Sequence, residues 1–484
     1  YYAKFAHQYL SLTPFFDGHP PLSKYIIAAG MWLGSKMPFG QTEMNGLTGG
    51  LYAPWTYRWL NALTGSFIPL VLAGIAYQLT HRRSFALITA LFAMLDGLFL
   101  VESRYALNNV YLVIFGLLGW WCLLLVYNRD RRFKQREWLL LAGISFGASA
   151  LIKWNGLWFL LGAYGAWAIA KFIHHSQITY QTLEPQETEQ SDDETNAPIL
   201  RERYLEARSR DWQSPLESLH QMSWWQLGTY LGIVPFVTYF LVWIPHLKLN
   251  AKAGIWQDFW ALQWEILSYH ERVGSGPNVH PYCSSWYSWL LMWRPVAYFY
   301  KVTGKNDPLP TEQTLPPGPG ERVIYDVHAM GNPFLWWFST VAIAIVLVTF
   351  FVILAYYGRQ WWNARRKQPS DFARKPTLNL ALSSTEQWLV IFIAVNYLAN
   401  LLPWVRVTRC TFLYHYMGAS AFAGMGLAWL VDRWLNSHEL ALRRIGIATI
   451  LLIAIAFLFW MPIYLGLPLS VQEFSLRMWF KSWV

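Results

Sequence analysis

The stretch from Trp138 to Phe172 reads WLLLAGISFGASALIKWNGLWFLLGAYGAWAIAKF. It is apolar almost throughout. It is too long for one crossing, because a helix of about 20 residues spans the roughly 30 Å apolar core of a bilayer. The segment Lys153-Trp154-Asn155-Gly156 interrupts the apolar run. We therefore predict two membrane spans joined by a turn at this segment.

The composition of the whole chain agrees with this prediction. Of its 484 residues, 55% are hydrophobic and only 14% are charged, and 30 are Trp. Several further apolar runs reach the length of a span, so the sequence predicts an all-α polytopic membrane protein with about ten spans. These spans are predicted at about 55–79, 84–100, 105–127, the two halves of 138–172, 223–245, 332–357, 386–402, 411–431 and 445–464.

The charges of the loops predict which side of the membrane each loop faces. Loops rich in Lys and Arg face the cytoplasm, and three loops have this composition: His81–Arg83, Arg129–Lys134 and Arg365–Lys367. The loops at the opposite ends of the spans then face outward. They include a first outer loop at 1–53 and a large outer loop at 246–331.

The same pattern divides the chain into regions. An N-terminal membrane region (1–172) is followed by a hydrophilic, partly disordered cytoplasmic loop (173–222) and a C-terminal membrane region (223–484). Within the first outer loop, residues 1–12 and 22–33 are predicted to form amphipathic helices that lie in the membrane interface.

Charge, cysteine content and the first residue limit the interpretation further. The net charge of +10 belongs to short loops between spans, so it does not indicate a nucleic-acid partner. The three cysteines, Cys122, Cys283 and Cys410, are too few for a disulfide framework. The chain opens at Tyr1 without a Met or a signal peptide, and we expect a further span upstream.

A short polar segment, Phe15–Lys24, precedes the first long apolar run. It contains a carboxylate (Asp17), an imidazole (His19), an ammonium and two prolines. The prolines restrict the backbone and favour an extended conformation at His19. Alone, the segment is typical of a turn before a helix, but its predicted outer location groups it with other polar residues.

Cationic side chains recur at the outer ends of the predicted spans. They are Arg58, Arg104, Lys153, Arg294, Arg406 and Arg409. Each one alone is explained by contact with lipid headgroups. Together they suit an anionic group at the membrane surface, such as a lipid-linked phosphate.

Carboxylates on the same face, including Asp17 and Glu102, add a candidate general base. This combination suits glycosyl transfer from a polyprenyl phosphate. The phosphate leaving group needs charge stabilisation, and the acceptor hydroxyl needs to lose a proton. No cofactor or metal site is predicted from these residues, although a divalent cation is compatible with the chemistry.

Five stretches, in order along the chain, resemble the protein O-mannosyltransferase family, the polyprenyl (dolichyl) phosphate mannose–protein mannosyltransferases of the GT-C type. They are Tyr1–Phe5 with Phe16–Leu22; Tyr57–Gly65; Glu102–Arg104; Ser149–Leu157; and His280–Trp289 with Gly331–Pro333 and Leu413–Tyr416. The resemblance implies eleven spans, which equals the ten predicted here plus one upstream. It also implies the bacterial form without a β-trefoil insertion, for which the loop at 246–331 has no room.

The resemblance implies roles for particular residues. The donor phosphate would be held by Arg58 and Lys153, followed by Arg104, Arg294 and Arg409. The sugar and acceptor site would be lined by Asp17, His19, Glu102, His280, Trp286 and His415. The family's catalytic base is an Asp of an Asp-Glu pair that is expected upstream of Tyr1. The family also usually carries an Asp shortly after Arg104, where this chain has Asn108 and Asn109.

The resemblance implies an inverting transfer of mannose from polyprenyl phosphate to Ser or Thr hydroxyls of exported proteins. The site would lie on the outer face of a bacterial plasma membrane, with membrane lipids and the secretion machinery as further partners. One alternative is a related GT-C enzyme that uses another lipid-linked sugar or a lipid acceptor. The other is a transporter or lipid flippase, which would carry ionisable residues deep within its spans and two related halves.

Overall fold

A computed structural model describes residues 1–39, 44–127, 135–183, 214–274, 276, 278–304, 322–366 and 382–484. The longer helices are α1 Tyr2–Leu10, α2 Leu22–Ser35, α3 Trp59–Thr80, α4 Arg83–Met94, α5 Gly97–Arg104, α6 Asn109–Leu125, α7 Gln135–Ala150, α8 Leu157–Leu183, α9 Trp224–Leu249, α10 Ile255–Arg272, α11 Pro333–Arg366, α12 Ser384–Leu401, α13 Met417–Leu435 and α14 Leu440–Leu465. Shorter helical turns include Pro54–Tyr57, Trp154–Gly156, Trp286–Trp289, Leu402–Arg406 and Leu413–Tyr416. The predicted helices of the first outer loop are present as α1 and α2, and their interfacial location stays a prediction.

The helices support a multi-pass membrane protein. In the described part of the chain, six helices are long and apolar enough to cross a membrane, namely α3, α8, α9, α11, α12 and α14. The pair α4–α5, bent by 57°, makes a seventh candidate, and α6 is a shorter apolar helix. The predicted number of ten spans stays a prediction.

The predicted break at Lys153 is confirmed. Helix α7 ends at Ala150, and Lys153 has an extended backbone with φ −152° and ψ 151°. A Cβ atom at Gly156 would lie 2.2 Å from the carbonyl oxygen of Ser149, so only glycine fits this tight turn. The turn therefore places Lys153 between helices α7 and α8.

Helix α8 extends past the predicted boundary between residues 172 and 173, which itself stays a prediction. Helix α8 continues to Leu183, because residues 173–183 contain no Gly or Pro to end it. Residues 184–213 of the predicted cytoplasmic loop lie outside the described residues, as does the basic loop at 128–134, whereas Glu217–Gln221 forms a helical turn.

Helices α12 and α13 form the centre of the bundle. Both are buried on nearly all sides. Small residues let neighbouring helices approach: Gly418 lies against Asn400, and Gly162 of α8 lies against Asn396. Such small residues at helix contacts are typical of membrane proteins.

The chain is mostly helical, as predicted, and it also contains one small antiparallel sheet in its described part. Its order is β1 (Val296–Gly304), β2 (Arg322–Ala329) and β3 (Leu469–Ser470). The first two strands are rich in β-branched and aromatic residues, which favour strands. A bulge interrupts the β1–β2 register between Ala297 and Phe299.

A single disulfide joins Cys283 to Cys410, a pairing that the cysteine count did not predict. The partners are 127 residues apart in sequence, so a count alone does not reveal their proximity. The same segments share backbone hydrogen bonds: Cys410 N donates to Gly274 O (2.8 Å) and Ser284 N donates to Thr411 O (2.8 Å). The disulfide therefore links the segment after α12 to the segment between α10 and α11.

Candidate active site

The loop that connects α1 to α2 is held by a buried ion pair. The Lys24 ammonium is paired with the Asp17 carboxylate and donates to the His19 carbonyl (2.7 Å). Lys24 is only 1% exposed. The opposite side of the loop is fixed by His270, whose Nε2 donates to the Gly18 carbonyl (2.8 Å). The sequence predicted a defined loop from its prolines, and these contacts supply most of its shape.

Lys153 is buried, and its ammonium is bound by an amide. Lys153 Nζ donates to Asn109 Oδ1 (2.8 Å), and Asn109 Nδ2 donates to Glu102 Oε2 (3.0 Å). The other oxygen of Glu102 accepts a hydrogen bond from the Tyr298 hydroxyl. The ammonium also lies 5.3 Å from the centre of the Tyr414 ring.

A cavity of about 170 Å³ opens beside Lys153. Four residues predicted for the site, His19, Lys153, Arg409 and His415, line it together with His270. Trp154, Trp158 and Trp404 supply aromatic walls. The structure thus gathers residues from four distant parts of the sequence around one space.

The charges of the cavity are set by burial. Burial, and then the charge of Lys153, lower the pKa values of His19 and His415 well below the ordinary value for histidine. These imidazoles are therefore neutral at neutral pH. Burial lowers the pKa of Lys153 to about 8, and Glu102 opposes this effect. Lys153 and half-buried Arg409 consequently make the cavity positive at neutral pH.

Other predicted site residues lie in a second cluster. The Arg58 guanidinium lies 5.1 Å from the centre of the Tyr105 ring, and Arg104 donates to the Tyr464 carbonyl (2.8 Å). The Tyr105 ring contacts Tyr298 at 5.3 Å. This Arg58–Arg104 cluster therefore adjoins the Glu102 side of Lys153.

Three further predicted residues occupy the outer loop. Arg294 donates through Nε to the Pro281 carbonyl (2.6 Å). His280 is exposed and its ring contacts Phe412, while Trp286 is half-buried. They are absent from the lining of the cavity beside Lys153. Trp289, three residues after Trp286, is instead buried and stacks on His415.

Sequence reasoning missed several residues that the structure brings to the site. Asn109 lies where the resemblance implies an Asp, and this difference is the signal that the sequence offers for it. Tyr298 and Trp404 gave no signal of their own, because aromatic residues are abundant throughout this chain. Tyr414 lies within the Leu413–Tyr416 stretch that carries the resemblance, although no role was predicted for it.

An apolar groove of about 620 Å³ adjoins the cavity. It lies among α7, α8, α9 and α10 and shares Trp154, Asn155 and Trp158 with the cavity. Its walls include Leu160, Leu231, Gly232, Pro235, Phe236, Phe259 and Trp260. Among the described residues, no group of three or more His, Cys, Asp or Glu side chains is placed to hold a metal ion.

Family models match nearly the whole chain. Residues 1–250 match the model described as dolichyl-phosphate-mannose-protein mannosyltransferase, and residues 255–483 match the C-terminal four TMM region of protein-O-mannosyltransferase. The chain belongs to the protein O-mannosyltransferase family. The resemblance inferred from the sequence is therefore confirmed.

Individual relatives agree with this assignment. The polyprenol-phosphate-mannose–protein mannosyltransferase of Mycolicibacterium smegmatis is 21% identical over 96% of this chain and 81% of its own length. The Corynebacterium glutamicum protein of the same name is 22% identical over the same shares. The Saccharomyces cerevisiae Pmt1–Pmt2 complex bound to the sugar donor has a chain that matches with a TM-score of 0.67 at 14% identity, over 100% of this chain and 88% of the yeast chain. The predicted GT-C fold is thus confirmed.

Proposed function

We propose that this protein transfers mannose from a polyprenyl phosphate to Ser or Thr hydroxyls of exported polypeptides, with inversion, on the outer face of the membrane. Family membership and the donors named for its relatives support the substrate class. The observation that carries the proposal is the positive cavity of Lys153 and Arg409, which adjoins an apolar groove.

The cavity suits the polar end of such a donor. As the glycosidic bond breaks, negative charge grows on the departing phosphate, and preorganised cations stabilise it. Lys153 and Arg409 would supply that charge, and the neutral imidazoles of His19 and His415 would contact the phosphate or the sugar. The tryptophans offer flat apolar surfaces for the sugar ring.

The groove suits the polyprenyl chain. Its lining is predominantly apolar and it lies between helices α8 and α9, both of which are candidate spans. Because the groove and the cavity share Trp154 and Trp158, a single lipid phosphate would occupy both.

Asp17 and Glu102 are proposed to position other groups. Asp17 is paired with Lys24, and Glu102 accepts hydrogen bonds from Asn109 and Tyr298. Neither carboxylate lines the cavity beside Lys153, and both are already engaged by other side chains. We therefore assign the general base to neither residue.

Two features support the outer orientation. The Cys283–Cys410 disulfide adjoins Arg409, and disulfides persist in oxidising compartments outside the cytoplasm. Arg82 and Arg433 both bind Glu386 at the ends of α4, α13 and α12 remote from the cavity. Positive residues at that end agree with a cytoplasmic location.

The test uses the purified protein in nanodiscs with polyprenyl phosphate carrying radiolabelled mannose and a Ser/Thr-rich peptide. We expect label on the peptide, and Lys153→Ala and Arg409→Ala to reduce transfer by about 100-fold or more. Exposed Arg406, three residues before Arg409, provides the matched control: Arg406→Ala should transfer normally.

Donor profiling separates the alternatives. If the protein transfers a different lipid-linked sugar and does not transfer mannose, the fold assignment stands and the proposed donor is wrong. Comparison with Arg58→Ala distinguishes the two cationic clusters. A larger loss in Arg58→Ala than in Lys153→Ala would move the donor phosphate to the Arg58–Arg104 cluster.

A further inference from the structure

We propose that Tyr298, Glu102 and Asn109 form a positioning relay that keeps Lys153 cationic and aimed into the cavity. Through this relay, strand β1 of the large outer loop would set how strongly the enzyme binds the donor phosphate. The inference rests on the proposed function, in which Lys153 binds that phosphate.

Glu102 is the buried counter-ion of the relay. It has no exposed surface, and an isolated buried carboxylate is strongly disfavoured. Two donated hydrogen bonds, from Tyr298 and Asn109, compensate its charge, and Lys153 lies beyond Asn109. Lys153 therefore lies near the negative charge of Glu102 without contacting it directly. Its ammonium hydrogens stay available to bind an acceptor in the cavity.

Asn109 is suited to link the two charges. Its side-chain oxygen accepts from Lys153 and its nitrogen donates to Glu102. An amide can do both at once, whereas a carboxylate only accepts. An Asp at this position would be a second negative charge beside Glu102. With Asn109 at this position, the relay contains a single carboxylate, that of Glu102.

Tyr298 connects the relay to the outer sheet. It sits in the bulge of β1, between the positions paired with His328 and Val327. Burial, and then the charge of Glu102, raise the pKa of Tyr298 well above its ordinary value. The hydroxyl thus keeps its proton, and donates, across the working pH range.

Other charged and titratable groups face Lys153 from every neighbouring element. The loop before α2 contributes Asp17 and His19, α10 contributes His270, and the segment before α13 contributes Arg409, Tyr414 and His415. Arg409 opposes the charge of Lys153, whereas Asp17 is already paired with Lys24. Glu102 is therefore the main group that favours the charged ammonium.

The experiment measures binding of polyprenyl phosphate, without sugar, to the protein in nanodiscs from pH 7 to 10. Lys153 loses its proton as pH rises through about 8, so wild-type affinity should fall above that pH. Glu102→Gln should move the midpoint of this fall down by about one pH unit, which is about tenfold in affinity near pH 8. Tyr298→Phe should move it less, in the same direction.

Two further variants should change the pH profile in ways that differ from Glu102→Gln. Asn109→Asp adds negative charge beside Lys153 and should move the midpoint upward. Lys153→Arg should remove the fall, because Arg does not lose its proton in this range. Adding Glu102→Gln to Lys153→Arg should then leave the profile flat. General structural damage would not move the midpoint of binding upward in Asn109→Asp and downward in Glu102→Gln.

Matched controls come from the same region. Tyr300→Phe lies in the same strand at an exposed residue, and Glu271→Gln removes an exposed carboxylate from the outer loop. Both should bind as the wild type at every pH. Thermal unfolding identifies any variant that fails to fold, and Tyr298→Phe and Asn109→Asp then decide the result.

The outcomes separate the relay from the proposed function. If the wild type transfers mannose but Glu102→Gln and Tyr298→Phe leave the midpoint unchanged, the relay is wrong and the function stands. A shift that persists in the Lys153→Arg background would also overturn the relay. If Lys153→Ala binds polyprenyl phosphate as tightly as wild type, the phosphate assignment itself fails.

Discussion

At the scale of single residues, the site consists of buried charges that are each held by a specific partner. The sequence singled out Lys153 because a charge and a glycine interrupt an apolar run, and the structure agrees. It did not reveal the partners of Lys153. Tyr298 and Glu102 are 196 residues apart in sequence, and a single sequence has no local pattern for such a contact.

The Lys24–Asp17 pair yields a stability prediction. Both side chains are almost fully buried, so Lys24→Met leaves an unpaired buried carboxylate. We expect the free energy of unfolding to fall by about 3–5 kcal/mol, measured by thermal or denaturant unfolding in detergent. The double variant Lys24→Met/Asp17→Leu should recover most of the loss. A stable Lys24→Met single variant would show that the pair does not hold the loop.

At the scale of elements, the long helices were predictable and the segments between them were not. The long apolar runs in the described part of the chain are helical, because backbone groups in lipid must be satisfied within their own segment. The run at 84–100 is, however, divided between α4 and α5. The segments between the long helices form contacts with distant parts of the chain. There, strands β1 and β2 pair across residues 305–321, and two cysteines meet from distant segments. Composition alone could not predict either contact.

The Cys283–Cys410 disulfide should stabilise the Arg409 side of the cavity. Closing a loop of this length contributes about 5 kcal/mol in the chain-entropy estimate. We expect Cys283→Ser, or reduction of the wild type, to lower the thermal midpoint and raise the donor KM severalfold. Cys122→Ser is the matched control, because Cys122 is free. An unchanged donor KM in Cys283→Ser would show that the disulfide does not stabilise the Arg409 side of the cavity.

At the scale of the whole molecule, the fold brings a polar cavity and an apolar groove together at one end of a helical bundle. Four cavity residues were predictable by position through the family resemblance. The grouping was not: Arg58 and Arg104 were predicted beside Lys153, yet they lie in a neighbouring cluster with Tyr105. Helix packing decides which helix ends lie next to each other. This arrangement cannot be read from a single sequence.

The groove can be tested by narrowing it. Gly232 lines the groove, and a side chain there would meet no atom within 4 Å. We expect Gly232→Leu to raise the KM for long-chain donors severalfold, by steric exclusion, and to leave a donor with a two-isoprene chain unaffected. Gly228 also has open space in the same helix but does not line the groove, so Gly228→Leu is the control. If Gly232→Leu and Gly228→Leu change the KM of the long and the short donor equally, the groove does not bind the polyprenyl chain.

The most direct measurement is a cryo-EM structure of the protein in nanodiscs with polyprenyl phosphate mannose. The account predicts the phosphate in the cavity within direct contact of Lys153 and Arg409, and the lipid chain in the groove between α8 and α9. Phosphate density between Arg58 and Arg104, with the Lys153 cavity empty, would contradict it.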